Sequence, residues 1–88
     1  MKIADLIREF CKETEGCEVY ENYSGKGMIG RTCLGIVVNQ GYSCMEILVK
    51  LTQFFDRNDF DDPDLELEGL TLASFGLDTI MYFPKIQG

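Results

Sequence analysis

Apolar residues recur along this chain with two different periods, and the switches between them mark six elements. Over residues 3–15, Ile3, Leu6, Ile7 and Phe10 follow the i, i+3, i+4, i+7 spacing, with Cys11 beside them. Asp5, Arg8, Glu9, Lys12 and Glu13 fall on the other face. The pattern predicts an amphipathic helix, with Gly16 as its C-cap. Residues 17–23, Cys-Glu-Val-Tyr-Glu-Asn-Tyr, alternate and favour a strand with one wet face. Residues 32–38 are apolar at nearly every position, as in a central strand covered on at least one face. Gly35 inside that strand predicts a bulge or a close approach. The glycine-rich loop from Ser24 to Gly30 joins the two strands as an antiparallel hairpin. Ser43-Cys-Met-Glu46 is a capping box. It opens a helix to about residue 57, with Cys44, Ile47, Leu48, Leu51, Phe54 and Phe55 as its core face. Residues 56–63 are a polar break. Leu65 and Leu67 alternate with Glu66 and Glu68, which predicts a short strand ending near Leu70. Gly69 and Gly76 bracket an irregular link. Residues 80–83 are the last strand, stopped by Pro84.

The order is α-β-β-α-β-β. Two apolar helix stripes need one shared sheet, so the expected fold is a two-layer α+β domain spanning residues 1–88. Both helices should pack on one face of a four-stranded, mostly antiparallel sheet. The other face would carry Tyr20, Tyr82 or their neighbours. An open aromatic face of that kind predicts a homo-oligomer.

Composition narrows the chemistry. The chain has 88 residues, 45% of them hydrophobic and 26% charged, ordinary values for a folded domain. No apolar run approaches the length of a membrane span, and Met1-Lys2-Ile3-Ala4-Asp5 does not open a secretory signal. A cytoplasmic protein without membrane partners is therefore expected. Fifteen acids against eight bases give a net charge of −7, which argues against direct nucleic-acid binding. No histidine is present, so the commonest general base and metal ligand are missing. Cys11, Cys17, Cys33 and Cys44 form no C-x-x-C pair, and four reduced, mostly buried thiols are expected rather than a zinc site or a disulfide framework. With no base to activate a nucleophile, the expectation is a non-enzymatic protein without catalytic residues, cofactor or metal.

The one chemical signal is the stretch Tyr23-Ser-Gly-Lys-Gly-Met-Ile-Gly-Arg-Thr32. Gly25, Gly27 and Gly30 permit positive φ and let amides converge on an anion. Lys26 and Arg31 supply cations, and Ser24 and Thr32 supply hydroxyls. Gly25 to Thr32 is one residue from a Walker A loop. However, it leads into strand-forming residues rather than a helix, and arginine stands where the phosphate-binding lysine belongs. The remaining readings are a plain hairpin tip, a phosphate- or nucleotide-binding loop that includes Tyr23, and a protein contact.

Residues 56–68 hold seven of the fifteen acids and one base, Arg57. Counted from Asp56 as an EF-hand loop, Phe60, Asp61 and Leu67 fall where an oxygen ligand, a glycine and a glutamate are needed, so the calcium pattern fails. The plain reading of the segment is a solvated loop; alternatively Asp59, Asp61 and Asp62 around Phe60 offer an apolar anchor in an acidic rim, suited to a basic protein surface, although Phe60 fits equally well tucked under the helix.

The stretch from Val19 to Cys33 resembles short proteins of bacterial phages and mobile elements, and Gly76 to Pro84 is similar to the end of such proteins. Small phage proteins without catalytic groups resemble counter-defence proteins. Some of these sequester a host's nucleotide signals, and others are acidic inhibitors of nucleic-acid-guided nucleases. The resemblance therefore implies two roles. The first is sequestration of a phosphate-bearing ligand by residues 23–32. The alternative is masking of a basic, nucleic-acid-binding surface on a host defence protein by residues 59–62.

Overall fold

The computed structural model describes residues 2–60 and 63–87. Its elements are α1 (Ile3–Glu13), β1 (Cys17–Tyr23), β2 (Cys33–Val38), α2 (Cys44–Arg57), α3 (Pro63–Leu67), β3 (Thr71–Phe75) and β4 (Asp78–Phe83). The strands form one antiparallel sheet in the order β1-β2-β4-β3. Two hairpins thus lie side by side and join through their inner strands. The α+β class and the α-β-β-α-β-β order hold, with the short α3 added before the second hairpin.

Three boundaries differ from expectation, each for a local reason. Helix α1 stops at Glu13 because Thr14 is already extended, with φ −114 and ψ 123. Gly16, expected as its cap, instead makes the turn into β1 at φ 91 and accepts a hydrogen bond from the Asn39 amide at 2.9 Å. The segment read as a strand over 65–70 begins with α3. Alternation over four positions also fits one helical turn, and Pro63 suits a first helical position. The third strand is the segment read as an irregular link. Gly69 and Gly76 bracket it, and Gly76-Leu77 is the two-residue turn between Phe75 and Asp78. Gly76 has φ 66 at the first turn position, where tight hairpins favour glycine.

The helix-side core forms where the amphipathic stripes meet the sheet. Leu34, Ile36 and Val38 of β2, with Met81 and Phe83 of β4, pack against Ile7 and Phe10 of α1 and Leu51 and Phe55 of α2. Phe10 and Phe54 meet edge to face at 5.6 Å between centroids. The Ser43 hydroxyl accepts from the Glu46 amide at 3.3 Å and caps α2, which is the serine half of the expected capping box.

The opposite face is not open. Cys33, Val37, Ile80 and Tyr82 form a second buried cluster there. One extra residue in β1 between Tyr20 and Tyr23, with Asn22 at φ 56, bulges the strand. The bulge turns Tyr23 to the same side as Tyr20. Their rings then lean over the central strands. Tyr20 lies 5.0 Å from Phe75, and Tyr23 lies 5.0 Å from Tyr82. The expected exposed aromatic face is therefore roofed by the chain itself.

Gly35 sits beneath this roof between Tyr20 and Tyr82 in the register. A Cβ there would come within 2.8 Å of Ile80 Cδ1 and 3.3 Å of the Met81 carbonyl. It is the close approach, not the bulge. Valine favours strands by at most about 1 kcal/mol, whereas overpacking costs about 1–3 kcal/mol. Gly35→Val is expected to destabilise the protein by about 1–2 kcal/mol, read from the midpoint of denaturant unfolding.

Candidate functional site

The roof's third part is the glycine loop, residues 24–32, and Met28 is its anchor. Met28 is only 4% exposed and packs into the second cluster. Its backbone organises the loop: its amide donates to the Gly25 carbonyl at 3.1 Å, and its carbonyl accepts from the Ser24 hydroxyl at 3.1 Å and the Arg31 amide at 3.3 Å. Its sulfur lies 3.4 Å from the Gly25 amide and 3.8 Å from Cys33 Sγ. Gly25 lies against the Tyr82 ring, and a Cβ there would come within 2.5 Å of it. Only glycine lets the backbone pass so close.

This geometry divides the expected site residues into two groups. Tyr23 is half-buried in the roof, the Ser24 hydroxyl is engaged within the loop, and the Gly25 amide points at the Met28 sulfur. Lys26, Gly27, Gly30, Arg31 and Thr32 are exposed. Gly27 and Gly30 are left-handed, at φ 80 and 72. Among the described residues their amides make no hydrogen bond. Ile29 stands 94% exposed between them. The ion pairs among the described residues join Arg8 to Asp5 and Glu21, and Lys85 to Glu68. Lys26 and Arg31 are in none of them. The loop leads into β2 and not into a helix, so it lacks the geometry of a Walker loop.

The described part of the acidic segment lies on the other side of the sheet. Phe60 is half-buried against the helix-side core, with its ring 5.6 Å from that of Phe55. Its amide donates to the Phe55 carbonyl at 3.0 Å. Of the two placements open to Phe60, the structure has the one tucked against the end of α2, with part of the residue left exposed. Asp59 is exposed at φ 52, and Asp61 and Asp62 lie outside the described residues.

A groove of about 560 Å³ runs between α1 and β1, lined by Arg8, Cys11, Lys12, Cys17, Glu18 and Glu21 among others. The Arg8 guanidinium forks onto Glu21, with Nε to Oε2 at 2.7 Å and Nη2 to Oε1 at 3.0 Å, and reaches Asp5 at 2.8 Å. This pairing lowers the Glu21 carboxyl below its usual range. Beneath it, Cys11 and Cys17 are unequal thiols. Cys17 is held below the usual thiol range, chiefly because Cys11 can donate to its thiolate and secondly because Lys50 is near. Cys11 is pushed up by the same neighbour and by burial. Sequence reasoning treated all four cysteines as equivalent. The signal it passed over was their placement: Cys11 and Cys17 straddle the turn at Gly16, which folds β1 back along α1.

Among the described residues, no group of three or more His, Cys, Asp or Glu could hold a metal ion. Among the described residues, no helix is long and apolar enough to cross a membrane. No family model, curated protein or solved structure matches this chain.

Removing the Met28 side chain should release the loop while sparing the helix-side core. Met28→Ala is expected to cost about 2 kcal/mol and to speed hydrogen exchange of the Met28 and Arg31 amides selectively. Exchange that rises uniformly across the sheet would show that Met28 supports the whole core instead. For the thiols, Cys11→Ala should move the pH profile of Cys17 alkylation upward, because the donor that stabilises its thiolate is lost. A profile that does not move would rule out that donor.

Proposed function

We propose that the chain is a small non-enzymatic binding protein whose exposed loop, residues 26–32, captures a phosphate-bearing ligand through Lys26 and Arg31. The observation that carries this reading is the pair of exposed cations outside any ion pair, set on a loop whose base is pinned by Met28. Guanidinium and ammonium groups make charge-assisted hydrogen bonds to phosphate oxygens. The amides of Gly27 and Gly30 add donors without steric cost from a Cβ. The Gly25 amide and the Tyr23 ring belong to the support of the loop rather than to the ligand.

Lys26, Gly27, Gly30, Arg31 and Thr32 are exposed, so the ligand would lie on the surface of the loop. Recognition then rests on charge, and the affinity falls as salt rises. Ile29 and Thr32 would meet whatever the phosphate is attached to. A protein that holds a nucleotide without transforming it acts by sequestration, the role implied by the resemblance to phage counter-defence proteins. The acidic alternative has less to support it, because Phe60 packs partly against Phe55.

A thermal-shift screen across inorganic phosphate, mononucleotides and cyclic oligonucleotides tests the reading. Ligand at a hundredfold excess over Kd should add about 2.7 kcal/mol of stability. The paired substitution Lys26→Ala, Arg31→Ala should weaken binding of any hit by about a hundredfold, from two charge-assisted contacts of about 1.5 kcal/mol each. Equal binding by the double variant, or a flat screen, would refute the proposal.

A further inference from the structure

The two edges of the sheet are built differently. At β1, Glu18 and Glu21 place two charges on the edge, the bulge breaks the register, and Arg8 reaches out to Glu21. These are the devices that keep an edge strand from pairing with another chain. At β3 none is present. Thr71-Leu-Ala-Ser-Phe75 carries no charge, proline or glycine, and its register with β4 is regular throughout. One side of β3 pairs with β4, and the other side has no strand beside it.

The flank of that edge is apolar. A groove of about 220 Å³ between α2 and β3 is lined by Cys44, Met45, Leu48, Leu70, Leu72 and Met81, with no charged residue. Leu72 on β3 is 55% exposed, and Met45 and Val49 on α2 are 68% and 47% exposed. Elsewhere Ile29, Tyr42 and Leu77 stand at turns, and Tyr20 is 40% exposed on β1 across the sheet. Here a bare strand edge and a bare helix flank are adjacent.

We propose that a second copy of this chain docks on this surface, pairing β3 with β3 in antiparallel fashion to give an eight-stranded sheet. The occupant follows from charge. A two-fold axis sets each group against its own surroundings, and a chain of net charge −7 repels its copy. Two copies can approach closely only where charge is absent, and the β3 edge with its flank meets that condition. A foreign strand selected by charge would find nothing there to read. With the axis at Ala73, Thr71 faces Phe75 and Leu72 faces Ser74 of the other copy, and the small Ala73 meets itself. The α2 helices then lie on the same side of the joined sheet, where Met45 and Val49 cover the seam. The surface does not involve residues 26–32, so this assembly stands apart from the ligand proposal.

Sedimentation velocity across the micromolar range, at low and high salt, tests the dimer. The wild-type chain should dimerise more tightly as salt screens the repulsion between copies. Leu72→Lys and Met45→Glu change exposed positions, and circular dichroism would check that both variants fold. Each should weaken the dimer by about tenfold or more, since a charge would be buried against an apolar flank. Tyr20→Ala, on the opposite face, should leave the dimer unchanged. A wild-type chain that stays monomeric throughout would overturn the proposal. So would an assembly that survives both charged variants, or one that Tyr20→Ala dissolves.

Discussion

Everything in this structure follows from the two-sidedness of β2. All six of its residues, from Cys33 to Val38, are buried, and β4 buries its last four. An antiparallel sheet ordinarily needs one apolar face, with the other wetted. Here two apolar faces need two covers. Helices α1 and α2 supply the first, and α3, five residues long, is too short to supply the second. The second cover is a loop. Burying a side chain the size of Val37, Ile80 or Tyr82 contributes about 1.5–3 kcal/mol each. The loop folds in over these side chains because Met28 packs among them.

That constraint explains how the fold was legible and the site less so. The helices declared themselves by period, because each has one face to hide. The central strand declared itself by continuous apolarity. The second hairpin was displaced because its evidence is short: Leu65 to Glu68 alternates over too few positions to separate a strand from a helical turn. Thr71 to Phe75 is marked mainly by the glycines at its ends. Within the loop, the sequence singled out the glycines and cations but could not assign Met28 and Ile29, which are adjacent and equally apolar. Their opposite fates depend on the cluster that Met28 packs into, whose members Ile80 and Tyr82 lie far along the chain. The bulge that turns Tyr23 inward is likewise a matter of register, which alternation alone does not reveal.

The distribution of charge follows the same layering. Phe60, Leu67 and Leu70 pack with the helix-side core, so the described part of the acidic segment lies on that side of the sheet. Lys26 and Arg31 stand on the other side, on the loop that covers the second cluster. Paired layers are separated by about 10 Å, which is about one Debye length at moderate salt. The molecule is therefore acidic as a whole but not everywhere. The local field at the loop is set by its own two cations more than by the net charge.

Pinning the loop has a direct consequence for recognition. A free glycine-rich hairpin tip would have to order several residues before two cations could act on one anion, and that ordering opposes binding. In this chain the ordering has already occurred during folding, driven by the apolar side of Met28 and not by any ligand. In the proposed role, the residue that makes the loop competent is thus one that would not touch the ligand. This also separates the contributions of loop residues. Under the proposed role, changes at Lys26 or Arg31 would act on the ligand directly, whereas changes at Met28, Gly25 or Tyr82 act on the conformation in which those cations are held. Glycine at 25 serves proximity to an aromatic ring, and glycine at 27 and 30 serves backbone handedness. Three glycines that look alike in the sequence therefore perform two different physical tasks.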